Sequence, residues 1–152
     1  MRSCDSLVHT TMAEPVGFLV DSNVLLDIIT QDGDWSEWSE KALANALRRG
    51  NVWINPIIYS EVSLAFNSIA AADEALPSDV LRRAPLPWSA GYLAARAHLA
   101  YRKRGGVRTS TLPDFYIGAH AVVERLTLVT RDERRYRTAF PSLSLLSPGD
   151  DA

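Results

Sequence analysis

Four carboxylates stand where they could act together: Asp21, Glu61, Asp114 and Asp132. Asp132 follows the β-branched and apolar run Thr127 to Thr130 and precedes a polar run with helical character, so it sits where a strand ends and a helix begins. Asp21 repeats that design at the end of Gly17 to Val20. In an open α/β sheet such strand ends are where ligands and chemistry collect. Glu61 lies inside an apolar stripe made by Ile58, Val62, Ala65, Phe66 and Ile69. A carboxylate there needs a cation, a metal or a pocket open to water, because burying an unpaired charge costs several kcal/mol.

Taken singly, each acid also has a local explanation. Asp21 can cap the helix after it, Asp114 can close a capping box with Thr111, and Asp132 suits the first turn of a helix. Taken together they suggest a cluster. Carboxylates that converge cannot all ionise without a cation, and hard oxygen ligands suit Mg²⁺ or Mn²⁺. Such an ion would bridge a phosphodiester and make a bound water more acidic. Competing chemistries are thinner. Ser22 and Ser60 lack a convincing base, and His120 lacks a His or Cys partner at ligand spacing and is expected to be structural. A haloacid-dehalogenase-type phosphohydrolase with Asp21 as nucleophile wants an acid two residues on, where this chain has Asn23. A non-catalytic protein- or RNA-binding module that keeps the same fold is the alternative from another class.

The elements that must position these acids alternate between strand and helix. Strands are expected at Gly17 to Val20, Asn51 to Ile54, Thr127 to Thr130 and about Leu143 to Leu146. Helices are expected from about Ser22 to Ile29, Trp35 to Arg49, Pro56 to about Ala71 behind an Asn55 cap, Ser89 to about Arg104, Thr111 onward, and Asp132 to about Ala139. A short helix is expected around Ser78 to Arg83. This alternation predicts an α/β fold, a parallel sheet with helices on both faces, with every strand's C-terminal end on one edge. Asp21 and Asp132 then share a crevice if their strands are neighbours.

The chain has 152 residues, enough for one core, with 47% hydrophobic and 22% charged residues. Residues 1–15 are polar and without period and are expected to form a flexible extension, with Met12 an alternative start; a domain over 16–148 and a tail over 149–152 follow. The single cysteine, Cys4, precludes an intrachain disulfide and a thiolate metal cluster and suits a reducing cytoplasm. No run approaches a transmembrane span and no signal peptide is evident, so a cytoplasmic protein is expected. Residues 1–76 hold 4 Lys/Arg against 11 Asp/Glu, and residues 77–152 hold 12 against 7, so an acidic half adjoins a basic one. Arg102, Lys103, Arg104 and Arg108 flank a glycine-rich loop ahead of Asp114, and Arg131, Arg134, Arg135 and Arg137 follow the last strand-end motif, at Thr127 to Thr130. Such charges suit phosphate contacts; a solvated helix end is the plainer reading.

The runs Phe18 to Ile28, Tyr59 to Glu61, Leu112 to Ala121 and Leu128 to Asp132, in that order, resemble the successive motifs of PIN domains, specifically VapC-type toxins. The similarity covers about Val16 to Pro148. It implies a three-layer α/β/α fold around a parallel sheet of about five strands and a metal-dependent endoribonuclease, a hydrolase of RNA phosphodiester bonds, with Mg²⁺ as cofactor and Mn²⁺ as a possible substitute. It further implies a homodimer inhibited by a cognate VapB-type antitoxin. By position, Asp21, Glu61, Asp114 and Asp132 would be the catalytic and metal-holding quartet, and Asn23 and Thr130 supporting polar residues; by their charge, Arg102, Lys103, Arg104, Arg108 and Arg131 fit the same picture as RNA contacts.

Overall fold

The computed structural model describes residues 17–105 and 110–151. The extension at residues 1–15 and Arg108 lie outside them. The elements run β1 (Gly17–Val20), α1 (Ser22–Ile29), α2 (Ser36–Arg49), β2 (Asn51–Ile54), α3 (Pro56–Ser63), α4 (Ile69–Ala75), β3 (Leu81–Arg83), α5 (Trp88–Lys103), α6 (Leu112–Val123), β4 (Thr127–Val129), α7 (Glu133–Ala139) and β5 (Leu145–Leu146), then a 3-10 turn at Pro148–Asp151 where a tail was expected.

The five strands form one sheet in the order β3-β2-β1-β4-β5, every pairing parallel. Helices cover both faces, giving the three layers expected. β1 and β4 are wholly buried, as continuous apolar runs in a two-sided parallel sheet should be. From β1 the chain moves outward to β2 and β3, then returns to the other side of β1 at β4. The crevice between the C-terminal ends of β1 and β4 is therefore a topological switch point. Val20 pairs with Val129, so Asp21 and Thr130 leave the sheet side by side, and the Asp21 amide donates to the Val129 carbonyl at 2.9 Å.

Two expected elements differ. The helix expected from Pro56 to Ala71 stops at Ser63, and a new one begins after Ser68, whose hydroxyl accepts from the Ala71 amide at 3.1 Å. Of the apolar stripe, Ile58 and Val62 are in the core and Phe66 packs against it, but Ile69 is exposed. The short helix expected around Ser78 to Arg83 is instead turn and edge strand, with Leu81 in the core beside Val52. Three residues are too few for a legible alternation, and the strand exists only because β2 offers it a ladder. Along α5, Tyr92 and Leu99 face outward while Ala90 and Ala94 are buried against the core.

The end of α6 shows how local chemistry is overridden. The Leu126 amide donates to the Ala121 carbonyl and the Arg125 amide to that of Val122, a Schellman closure. The residue at its left-handed position is Arg125, with φ of 55°, where glycine is usual. Among the described residues no helix is long and apolar enough to cross a membrane.

Candidate active site

Asp21 is at the centre of the crevice and is 3% exposed. It caps α1 through Oδ1, which accepts from the Ser22 amide at 2.8 Å. Its Oδ2 accepts from the Thr130 hydroxyl at 2.9 Å, the Tyr136 hydroxyl at 3.1 Å and the Asn23 amide nitrogen at 3.3 Å. Burial pushes its carboxyl up to about 6 from an ordinary 3.8, and the charge of Glu61 adds to this, while the hydrogen bonds from Thr130, Tyr136 and Ser22 work the other way.

Thr130, fully buried, ties the two strand ends together. Its hydroxyl donates to Asp21 and accepts from the Asp132 amide at 3.0 Å and, at 3.4 Å, from Asn23. The supporting positions expected for Asn23 and Thr130 are thus at the junction. Glu61 comes in from α3 and accepts from the Ser22 hydroxyl at 2.7 Å, a neutral partner where a cation, a metal or a pocket open to water was expected.

Asp114 and Asp132 form the other side. Asp114 Oδ2 accepts from the Thr111 amide at 2.8 Å and hydroxyl at 3.0 Å, so its capping role is real. Its Oδ1 is 3.5 Å from Arg135 Nη1, which also lies 3.1 Å from Asp132 Oδ2. The Arg135 side chain therefore links the two acids, and its Nε donates to the Ser110 hydroxyl at 3.1 Å. Burial works against the Arg135 cation, but the nearby carboxylates of Asp114 and Asp132 raise it above its ordinary value.

The donor set can be compared with a divalent ion. Carboxylate oxygens dominate it, and the buried Asn23 Oδ1, without a hydrogen-bond partner, adds an amide oxygen beside Asp21. That chemistry fits Mg²⁺ or Mn²⁺. Among the described residues no three acids, histidines or cysteines are already grouped closely enough to form a metal site. Asp114 and Asp132 are turned to Arg135 instead.

The sequence did not single out Tyr136 or Asp27. Tyr136 is fully buried, its hydroxyl held well above its ordinary pKa by burial and by the charges of Asp21 and Asp114. Its position four residues after Asp132, one helical turn into α7, was the available signal. Arg131, expected among the RNA contacts, is held by Asp27. Arg131 Nε and Nη2 donate to the two Asp27 oxygens at 2.8 and 3.1 Å, and the guanidinium lies over the Trp35 ring at 5.4 Å. The Ser39 hydroxyl donates to the same carboxylate at 2.8 Å. Arg131 thus fastens the start of the β4–α7 turn to α1, with about a third of its side chain still exposed.

Asp27→Asn should then destabilise the fold by about 2 kcal/mol. A broken buried pair costs more, but the Arg131 side chain is 33% exposed and water compensates part of the loss. Urea unfolding of the two proteins checks it; equal midpoints would mean that the pair contributes nothing.

His120 is structural, as expected. It is 1% exposed, its Nδ1 pairs with the Asn55 amide nitrogen at 3.0 Å, and burial lowers its pKa. Asn55 also caps α3, its side chain accepting from the Ile58 amide at 2.9 Å.

The PIN-domain family model matches residues 18–141, which takes in all four acids and the strands that present them. The chain belongs to the PIN-domain family. No curated relative matches this PIN domain. Among solved structures it is similar to VapBC2 from Rickettsia felis bound to a DNA fragment from its promoter, at 16% identity and a TM-score of 0.67, covering 86% of this chain and 97% of that one. DNA-bound VapBC from Salmonella typhimurium matches at 18% identity and a TM-score of 0.64, covering 87% and 98%. FitAcB from Neisseria gonorrhoeae matches at 20% identity and a TM-score of 0.61, covering 87% and 98%. At these identities the likeness is one of fold, and it spans nearly the full length of each matched chain.

Proposed function

We propose that this PIN domain is a Mg²⁺-dependent endoribonuclease toxin of the VapC type, neutralised by a VapB-type antitoxin. The observation that carries the reading is Asp21, buried at the switch point and oriented by Thr130, Tyr136 and Asn23, with the charge of Glu61 acting on it and Arg135 linking Asp114 to Asp132. A protein gains nothing in stability from burying a carboxylate whose pKa it must raise; a site that receives a cation explains it.

Asp21, Asp114, Asp132 and Glu61 would hold the ion, with Mn²⁺ as a substitute. When bound it would supply positive charge to the phosphodiester and acidity to water. The chain's own groups do the rest. Thr130 and Tyr136 fix the direction of the Asp21 oxygens, Ser22 fixes Glu61, and Arg135 holds Asp114 and Asp132 as a pair. Arg102, Lys103 and Arg104, exposed at the end of α5, supply charge for RNA phosphates and make binding fall with salt. The matched VapBC and FitAcB structures support the antitoxin as partner. Trp88 and Tyr92, exposed one turn apart on α5, support a surface for a homodimer, and a cytoplasmic location fits such a toxin.

The test is digestion of total cellular RNA by the antitoxin-free protein with Mg²⁺, with EDTA, and with Asp114→Asn. Asparagine keeps an oxygen to accept from Thr111, so the helix start survives while the charge is lost. Discrete fragments should appear with Mg²⁺, vanish in EDTA, and fall at least about 100-fold in rate for the variant. Wild-type rates from Asp114→Asn would remove the assignment. One observation favours the non-catalytic alternative: Arg135 already supplies a cation to Asp114 and Asp132. No cleavage, together with no effect of Mn²⁺ on the melting temperature, would decide for it.

A further inference from the structure

Beside the acids lies a cavity that the four carboxylates do not account for. It measures about 320 Å³ and sits between the end of α5 and α7, with Tyr101 and Phe115 on its apolar side and Arg104, Arg134 and Arg135 on its charged side. That volume is at the lower end of the range for small-molecule sites, roughly 300 to 1,000 Å³. Asp132 and Arg135 line the cavity, and Arg135 also reaches Asp114, so the cavity adjoins the acids.

The charge of the lining selects the ligand. Among the lining residues three arginines face one acid, and Asp132 is already engaged by Arg135 at 3.1 Å. Arg104 and Arg134 are exposed and carry no ion pair among the described residues. A concave, half-apolar site with surplus guanidinium groups is built for a phosphate attached to a planar ring: arginine forks suit phosphate oxygens, and an aromatic wall suits a base. Tyr101 packs at 5.5 Å from Phe115, itself 2% exposed, so that wall is anchored to the core.

We propose that this cavity is a nucleotide subsite, taking the phosphate and base of the RNA residue next to the one whose phosphodiester meets the acids. The proposal rests on the nuclease reading and deepens it: Arg104 and Arg134 bind the neighbouring phosphate, and Arg135 joins that subsite to Asp114 and Asp132.

The experiment measures binding apart from cleavage. A fluorescent single-stranded RNA is titrated in EDTA, over a range of salt, with the wild-type protein, with Arg104→Ala/Arg134→Ala, and with Arg48→Ala/Arg96→Ala as a control that removes equal charge elsewhere. The subsite predicts that the first variant binds about 10-fold more weakly, with the log–log salt slope reduced by about 1.4, two phosphate contacts on a single strand, while the control is unchanged. Equal losses in both variants would reduce the effect to diffuse charge and overturn the subsite. So would unchanged RNA affinity accompanied by weaker antitoxin binding, which would make the cavity a protein-facing surface. RNA held through Arg104 and Arg134 but left uncut with Mg²⁺ would remove the nuclease reading and keep the subsite. RNA cut normally, and bound as well by the first variant as by the wild type, would do the reverse.

Discussion

Gly118→Val should destabilise the protein by about 3 kcal/mol and loosen the site as well. Replacing a glycine inside a helix ordinarily stabilises it, by up to about 1 kcal/mol for alanine. Here packing reverses the sign. A Cβ on Gly118 would stand 2.5 Å from one ring carbon of Phe140 and 3.0 Å from one of Tyr136. Both rings are in the core, at 5% and 0% exposure, so neither has free space to move into. Overpacking of this kind costs about 1 to 3 kcal/mol, and valine adds two methyls and a restricted rotamer to the clash. Gly118→Ala should be milder, destabilising by about 1 kcal/mol after the helix gain is set against it. Because Tyr136 donates to Asp21, displacing its ring also removes one of the hydrogen bonds that orient the carboxylate. Denaturant unfolding reads the first effect and RNA cleavage the second. A stabilised Gly118→Ala would show that α6 and α7 can move apart freely.

In EDTA, stability should rise as pH falls from 7 toward 4, by about 3 kcal/mol from Asp21 alone. The folded carboxyl titrates near 6 and the unfolded one near 3.8. A raised carboxyl pKa means that the native state holds its proton more tightly, so the charged form weakens the fold above pH 6. That penalty shrinks through the window between the two values and is gone below the lower one. Each pKa unit is about 1.4 kcal/mol, and Asp21 is almost fully buried, so screening takes away little. Other carboxyls titrate over the same range, so the measurement is a difference: wild type minus Asp21→Asn, by urea unfolding from pH 4 to 7.5. The difference should slope across the window and flatten above pH 6. A difference independent of pH would mean that Asp21 is not held against its own ionisation. Adding Mn²⁺ at pH 7 should stabilise the wild type more than the variant, because a cation removes the reason for the penalty.

The sequence by itself carried the acids and the strands that hold them. Gly17 to Val20 and Asn51 to Ile54 begin and end in the structure where their residues predict, since a buried parallel strand must be a continuous apolar run between polar boundaries. Asp21, Glu61, Asp114 and Asp132 could be picked out because each stands at a junction or inside an apolar stripe, where a charge has to be explained. Asn55 was legible as a cap for the same kind of local reason, its side chain reaching only three residues along the chain.

Only the tertiary structure decided the remainder, because those choices depend on partners distant in sequence. β3 forms because β2 has an open edge, which three residues cannot announce. The helix begun at Pro56 stops at Ser63 although its apolar period runs on, with Ile58 and Val62 in the core and Ile69 exposed. Arg131 and Arg135 sit in the same turn-and-helix run and look alike as sequence. One is bound to Asp27, 104 positions away, and the other lies between Asp114 and Asp132 at the mouth of a cavity. A side chain's type fixes what it can bind; which group it meets is set by packing, and packing separated the arginine that fastens the fold from the one that faces the site.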